Sequence, residues 1–205
     1  MKEKAPFILI LIILIAINSF TLFLYHRLKQ KEIEGEIIRV NQVSSLKDIQ
    51  NTYRLNSKID ILNSCLCVDN VMIKDTVDNK FPINKIFDNL QERVLVCRFS
   101  QRHCESCVNS LIQILRNRVD SIGKENVVFL GNHRNNRIFK RTIPLYGIED
   151  LKVYNCPKLS IPVEELGYPY YFILDSRLQI SNVFVPDKAT PNVTFEYLKN
   201  ICKKF

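Results

Sequence analysis

Two cysteines, Cys104 and Cys107, lie three positions apart where an apolar run meets a helical pattern. The run at residues 94–99 is typical of a buried strand, and apolar residues recur at helical spacing through residues 108–119. The pair therefore predicts a strand-to-helix junction, with one sulfur at the first turn of the helix and the other one turn deeper. At such a junction, backbone N–H groups and the helix dipole stabilise a thiolate.

Strand and helix patterns alternate through the rest of the chain. Strands are predicted at 94–99, 126–130, 151–154, 170–174 and 180–185, and helices at 104–119, 135–146 and 194–203. Two shorter strands are predicted before them, at 71–74 and 81–83. The alternation predicts an α/β fold, in which a central mixed sheet is flanked by helices and closed by an antiparallel hairpin and a helix.

The start of the chain has a different character. Residues 7–25 carry no charge and are interrupted only by Asn18, Ser19 and Thr21. About 20 apolar residues cross a bilayer, so the segment predicts a single-pass transmembrane helix. A cleaved signal peptide is the alternative, although no A-x-A-like cleavage site follows. The positive charges that flank the segment favour a cytoplasmic domain, but disulfide exchange is more useful outside, so we expect an extracytoplasmic, periplasmic domain.

A helical stalk is predicted between this anchor and the rest of the chain. Apolar residues recur there at three- and four-residue steps, at Ile33, Ile37, Val40, Val43, Leu46 and Ile49. The stripe could pair two chains in a dimer, or it could pack on the domain. The predicted organisation is an anchor at 1–25, a stalk or linker at 26–67 and a folded domain at 68–205.

The formal net charge is +8, and its densest patch is formed by Arg134, Arg137, Lys140 and Arg141. Such a patch could attract nucleic acid, anionic lipid or an acidic partner. Aromatic residues that would stack on bases are not interleaved with it. We therefore expect a solvated helix face and no nucleic-acid partner.

The chain has seven cysteines, and an odd number leaves at least one unpaired within the chain. Cys97 and Cys202 lie in apolar stretches and are predicted to be core residues. Cys65 and Cys67 could form a local pair or a second redox pair that exchanges with the first. Cys156 lies in a predicted loop.

The spacing of Cys104 and Cys107 is suited to reversible dithiol–disulfide exchange. One alternative is an inert disulfide. Another is a zinc site built from both cysteine pairs, with a histidine as substitute ligand: Cys65, Cys67, Cys104, Cys107, His103 and His133. Because one pair opens a helix after a buried strand, exchange is favoured, and we expect neither a metal nor a cofactor.

Four features together resemble the thioredoxin-like superfamily. They are the strand that ends before the C-x-x-C pair, the helix that the pair opens, the Gly167-Tyr168-Pro169 step into an apolar strand, and the final hairpin and helix. The resemblance covers residues 68–205. The predicted anchor and the extra hairpin are similar to those of bacterial membrane-anchored thiol-disulfide oxidoreductases and AhpC/TSA-type redoxins.

The resemblance implies a thiol-disulfide oxidoreductase in which Cys104 is the nucleophile and Cys107 resolves the mixed disulfide. It also implies a cis peptide bond at Pro169, which would present the backbone of Tyr168 to an extended substrate. His103 stands where these proteins usually have tryptophan, and when charged it could lower the pKa of the nucleophile. The implied partners are protein or small-molecule disulfides and dithiols, and a protein that supplies reducing equivalents.

Two further functions are compatible with the same residues. A thiol peroxidase would need a hydroxyl and an arginine to orient peroxide, and Ser100 with Arg98 or Arg102 could supply them. A tethered redox-sensing or binding module would hold a partner without turnover. The chain also departs from the family pattern, because Cys97 and Arg98 stand where a buried acid is usual.

Overall fold

The computed structural model describes residues 5–87 and 91–205, with side chains described from residue 13 onward except at 16 and 88–90. The chain divides into two compact units, of which the first ends at Lys47 and the second is Asp48–Phe205. Helix α1, Ala5–Asn63, begins in the first unit and ends in the second. Each unit is described by itself.

The first unit is helical in all of its described residues, which agrees with the helix predicted for the stalk. Its apolar stripe is exposed, including Ile33, Ile37 and Val40, and pairing of two stalks stays a prediction. The predicted anchor at 7–25 lies partly outside the residues whose side chains are described. Within the described part of the chain, no helix combines the length and the apolar character that crossing a membrane requires.

The second unit is built on one mixed sheet, which has seven strands in the described residues. The strands are β1 Met72–Lys74, β2 Lys80–Pro82, β3 Arg93–Ser100, β4 Val127–Asn132, β5 Lys152–Asn155, β6 Tyr170–Asp175 and β7 Ile180–Phe184. Their order is β2-β1-β5-β4-β3-β6-β7. Strands β3, β4 and β5 are parallel, whereas β6 and β7 form the predicted antiparallel hairpin.

Four helices pack on one face of the sheet, and the end of α1 contributes to the core on the other face. The four helices are α2 Glu105–Arg116, α3 Val119–Ile122, α4 Asn136–Tyr146 and α5 Pro191–Cys202. Alternate residues of β3 divide between two cores, because successive side chains of a strand point to opposite faces. Leu95, Cys97 and Phe99 pack under these helices, whereas Val94 and Val96 face a second core. The predicted α/β fold, a mixed sheet flanked by helices, is confirmed.

Element boundaries differ from the predicted ones by a few residues, for local reasons. The helix predicted at 104–119 ends at Arg116, and a separate short turn follows at Val119–Ile122. The last helix begins at Pro191 rather than at residue 194, because proline is favoured in the first turn, where its missing N–H costs no hydrogen bond.

The end of α1 is attached to the second unit by polar side chains. The Asn56 side chain accepts a hydrogen bond from the Val185 N–H (2.7 Å) and donates one to its carbonyl (3.1 Å). Asp60 accepts from the Val183 N–H at 2.8 Å. These contacts pair the backbone at the outer strand of the sheet. They attach the last turns of α1 to the compact unit that begins at Asp48, and the predicted domain bounds stay a prediction.

Candidate active site

Cys104 is the residue that caps the N-terminus of α2. Its backbone is extended (φ −56°, ψ 122°), and its carbonyl accepts hydrogen bonds from the N–H groups of Cys107 (2.9 Å) and Val108 (3.0 Å). The preceding strand β3 ends at Ser100, so a short turn carries the chain from the sheet into the helix. The side chain of Cys104 is exposed, as its predicted role as nucleophile requires.

Two donors from different parts of the chain approach the Cys104 sulfur. The Ser106 hydroxyl lies 3.1 Å from Sγ. The Lys188 ammonium, from the loop between β7 and α5, lies 3.7 Å from Sγ and also donates to the Ser106 hydroxyl. The sulfur, the hydroxyl and the ammonium therefore form a contiguous polar cluster at the surface.

This environment lowers the pKa of Cys104 to about 6. The largest cause is a hydrogen bond from the side chain of Cys107, followed by the Ser106 hydroxyl and the backbone N–H of Cys107, and the charge of Lys188 acts in the same direction. At pH 7, a thiol with this pKa is mostly thiolate, which is the nucleophilic form.

Cys107 has the opposite properties. Its side chain is half-buried, and its pKa is raised, first by the hydrogen bond to Cys104 and then by burial. Both cysteines are free thiols in this structure. An exposed thiolate beside a protonated, less accessible thiol is the division of roles that a nucleophile and a resolving cysteine need.

A pocket of about 380 Å³ opens beside Cys107, and Tyr168, Pro169 and Lys188 line it. The structure therefore brings the predicted substrate-positioning residues to the predicted resolving cysteine. Gly167, with φ 71°, turns the chain into this step, and Tyr168 is exposed.

The predicted cis bond at Pro169 is wrong. In the described residues no peptide bond is cis, so the bond between Tyr168 and Pro169 is trans. The trans isomer is the more stable one for most bonds before proline, by about 0.5–1 kcal/mol.

His103 does not supply a positive charge to the nucleophile. Its imidazole is half-buried, and its pKa is lowered by burial and by the charge of Arg98, while Glu164 opposes the shift. The ring is therefore uncharged at neutral pH. The structure gives no support to the predicted tuning of Cys104 by a charged His103, and Lys188 is the cation in contact with the sulfur.

The side chain of Arg98 is held in a buried ion pair away from the Cys104 sulfur. It is 1% exposed, and its guanidinium bonds Glu164 through Nε (2.8 Å) and through a terminal nitrogen (2.7 Å). It donates further to the carbonyls of Cys156 (3.1 Å) and Pro157 (2.6 Å). Arg98 thus ties β3 to the segment that leads to Pro169. It is not free to orient peroxide, so of the two arginines named for the peroxidase alternative the exposed Arg102 is the one that is still compatible with that role.

The second cysteine pair lies at the β6–β7 turn. The backbone of Cys67 pairs with that of Gln179 in an isolated antiparallel β-bridge. The Cys65 N–H donates a hydrogen bond to the Ile180 carbonyl at 2.9 Å. Both thiols are exposed, and Cys65 has a left-handed backbone (φ 68°).

That turn is at the opposite end of the sheet from Cys104. In the antiparallel pair β3–β6, Asp175 at the end of β6 faces Arg93 at the start of β3, whereas Cys104 follows the end of β3. The length of β3 separates the two pairs by roughly 20 Å or more. This distance contradicts a shared four-thiolate zinc site and direct exchange between the two pairs.

Cys97 lies in the core as predicted, and Cys156 lies in the loop after β5. Cys202, also predicted to be a core residue, is half-buried and packs at the edge of the core. Cys97 is fully buried, and burial raises the pKa of its thiol well above the usual range. Cys156 is also buried, which raises its pKa to about 11. Arg137 and Arg141 are exposed on α4, as a solvated helix face requires.

Sequence reasoning missed Lys188. It is separated from Cys104 by 84 positions and belongs to no motif with it. The sequence feature that could have indicated it is its position in the loop after the last strand. That loop lies at the same end of the sheet as the start of α2.

No protein-family model matches this sequence, and no curated protein does either. Solved structures with a similar chain path include a thiol:disulfide interchange protein from Bacteroides sp., with 14% identity, 67% of this chain and 91% of that chain covered, and a TM-score of 0.48. Another is the thioredoxin domain of a thiol-disulfide oxidoreductase from Bacteroides vulgatus, at 13% identity, 66% and 97% coverage and a TM-score of 0.46.

A peroxidoxin from Mycobacterium tuberculosis is similar at 11% identity, with 68% of this chain and 98% of that chain covered and a TM-score of 0.46. These neighbours are thioredoxin-like thiol-disulfide oxidoreductases and a peroxidoxin. At these identities and TM-scores, the similarity assigns neither a substrate nor the role of any residue to this chain. The mixed sheet with flanking helices, with the cysteine pair at the β3–α2 junction, fits a thioredoxin-like fold.

Proposed function

We propose that this chain is a thiol-disulfide oxidoreductase that exchanges disulfides through Cys104 and Cys107. The observation that carries the proposal is the environment of Cys104. Cys104 lies at the start of a helix, its sulfur contacts Ser106 and Lys188, and these surroundings lower its pKa to about 6. A resolving thiol lies one helical turn away.

In the first step, the Cys104 thiolate attacks one sulfur of a substrate disulfide. A bond forms between the two sulfurs, the substrate S–S bond breaks, and the released substrate thiolate takes a proton from solvent. The attacking thiol has a pKa near ambient pH, which is close to the optimum for this reaction.

In the second step, Cys107 loses its proton and attacks Cys104 Sγ in the mixed disulfide. The second substrate thiol leaves, and an intramolecular disulfide remains. The hydrogen bond that raises the Cys107 pKa is made to Cys104, so it changes when that sulfur becomes part of a disulfide. The neighbouring Lys188 ammonium then favours the Cys107 thiolate.

Two electrons pass from the dithiol to the substrate in this cycle. The oxidised pair then needs a dithiol donor, for which a reductant protein is the proposed partner. The cycle also runs in reverse, with the disulfide oxidising a substrate dithiol. Stabilisation of the Cys104 thiolate favours the reduced pair, and so makes the couple more oxidising than an unperturbed one.

A trapping experiment tests the mechanism. In the full-length Cys107→Ser variant, the mixed disulfide with an added peptide disulfide should accumulate, because nothing resolves it. Mass spectrometry of the intact protein measures the adduct. Turnover in a dithiol-dependent insulin reduction assay should be lost in this variant.

Two variants serve as controls for the trap. Cys104→Ser should form no adduct, whereas Cys65→Ser removes another exposed thiol and should retain wild-type turnover. If Cys107→Ser forms no adduct with disulfides but Cys104 is rapidly oxidised to sulfenic acid by peroxide, the peroxidase alternative is correct. If partner binding survives loss of both thiols without turnover, the binding module is correct.

We also propose a membrane tether at the start of the chain. It rests on the apolar sequence at 7–25, which would hold the domain at a membrane, facing the extracytoplasmic side. A reporter that is active only outside the cytoplasm, fused after Phe205, tests this topology. Activity of the reporter and resistance of the protein to carbonate extraction are the expected results, and free release by carbonate would contradict the anchor.

A further inference from the structure

The pocket beside Cys107 has a wall that lies outside the predicted redox domain. Along with α2 and the Tyr168–Pro169 step, Leu55 and Ile59 of helix α1 line it. These residues belong to the last turns of α1, which form part of the same compact unit as the cysteines. The helix end therefore shapes the surface beside the reactive pair.

This wall offers mainly apolar contacts to a ligand, although it contains two polar residues. The Asn56 side chain forms hydrogen bonds with the backbone of Val185 and with the Thr52 carbonyl. The Thr52 hydroxyl donates to Asp48 and accepts from Thr190. With both groups paired inside the protein, the contacts that this wall offers to a ligand come from Leu55 and Ile59.

Most of the remaining lining is apolar as well, and its polar members are Ser110, Asp187 and Lys188. Leu111 and Ile114 of α2 lie on one side, and Pro169 and Val185 lie on another. Around the mouth, the side chains of Leu55 (55% exposed) and Tyr168 (57%) are open to solvent. Exposed apolar side chains grouped at a pocket are typical of a binding site rather than of an ordinary surface.

The pocket lies beside the cysteine pair, and this position indicates what kind of ligand could occupy it. Cys107 lines it, and Cys104 is exposed in the same turn of helix, so any chain in disulfide exchange with Cys104 passes its mouth. A volume of about 380 Å³ is at the small end for ligand sites, and fits one or two side chains rather than a folded element.

We infer that Leu55 and Ile59 determine specificity: they make the pocket accept a bulky apolar side chain next to the target cysteine of an extended polypeptide disulfide. The substrate class is therefore an unfolded or flexible protein segment, in preference to small, acidic disulfides. This inference rests on the proposed exchange function, and the sulfur chemistry of the two steps above is unchanged.

Two short peptide disulfides test it, each a homodimer with one cysteine, flanked by leucine in one and by aspartate in the other. Reduction by the full-length dithiol protein is followed in a single turnover by chromatography. The leucine peptide should react about 10-fold faster or more, because a side chain that fits an apolar pocket gives discrimination of this size.

The Leu55→Asn variant, which removes the apolar contact without adding a charge, should reduce this ratio to below about threefold, whereas Leu62→Asn should leave it unchanged. Leu62 is the matched control, because it is 67% exposed on the same helix and does not line the pocket. The pH midpoint of Cys104 alkylation should stay near 6 in both variants, which shows an intact site.

Equal rates for the two peptides with the wild-type protein would overturn the inference while leaving exchange intact. A ratio that survives Leu55→Asn would overturn the role of the α1 wall. If the wild-type protein reduces neither peptide, the proposed function itself is wrong, and this inference is wrong with it.

Discussion

The Cys104 sulfur is surrounded by donors that act to different degrees. The Cys107 thiol and backbone N–H and the Ser106 hydroxyl come from the same turn of helix, so they are available wherever this motif folds. Lys188 comes from a separate loop and is exposed to solvent. Salt screens an exposed charge, so its contribution to the thiolate is the smaller and more salt-dependent one.

Lys188→Ala should therefore raise the pKa of Cys104 without abolishing exchange. The rate of alkylation by iodoacetamide at pH 6 should fall roughly two- to fivefold, and the midpoint of the pH profile should move upward. The matched control is Lys203→Ala, another exposed lysine, which should leave the profile unchanged. An unchanged midpoint in Lys188→Ala would show that the helix terminus alone stabilises the thiolate.

Helix α1 shows how one element takes on a role that its local pattern does not predict. Its stripe of apolar residues indicates a stalk, whereas its last turns carry Asn56 and Asp60 on the side that meets the outer strand. Their side chains pair backbone groups that an edge strand would otherwise expose, so they also protect the sheet from pairing with another chain.

The Asn56→Ala variant should lower the free energy of unfolding by about 1–3 kcal/mol, because it leaves the buried N–H and carbonyl of Val185 without their partner. Urea denaturation of the full chain measures the change. Asn51→Ala is the matched control, since Asn51 is exposed on the same helix, and it should shift stability by less than about 0.5 kcal/mol. Equal effects of the two substitutions would contradict an attachment through Asn56.

At the scale of the whole domain, a buried ion pair connects the sheet to the segment that leads to the Tyr168–Pro169 step. Arg98 on β3 holds Glu164, and Glu164 also accepts from the Leu159 N–H at 2.8 Å. The charges are almost completely buried, so they are worth little unless both are present. The pair holds together parts of the chain that are 66 positions apart.

Arg98→Met should destabilise the domain by about 3–5 kcal/mol, because the Glu164 carboxylate stays buried without a partner. The double variant Arg98→Met/Glu164→Met should recover part of that loss in the same denaturation experiment. Arg93→Met removes a half-exposed arginine from the same strand and serves as the control. A loss below about 1 kcal/mol for Arg98→Met would show that water reaches Glu164.

Local patterns determined most of the elements and the centre of the site. The strand at β3, the helix at α2 and the cysteines between them follow from apolar periodicity and from a spacing of three residues, which are properties of short segments. The exposure of Cys104 and the partial burial of Cys107 follow in the same way, because neighbouring positions on a helix turn differ in their depth.

The tertiary structure alone decided what surrounds that centre. Lys188 contacts Cys104, Asn56 pairs with Val185, and Arg98 is taken up by Glu164 rather than left free for peroxide. Each contact joins residues far apart in sequence, so it depends on the path of the chain and on the direction of the side chains. The sequence by itself therefore determined the position of the cysteine pair at the β3–α2 junction, while the folded chain decided which charge contacts it and the shape of the pocket beside it.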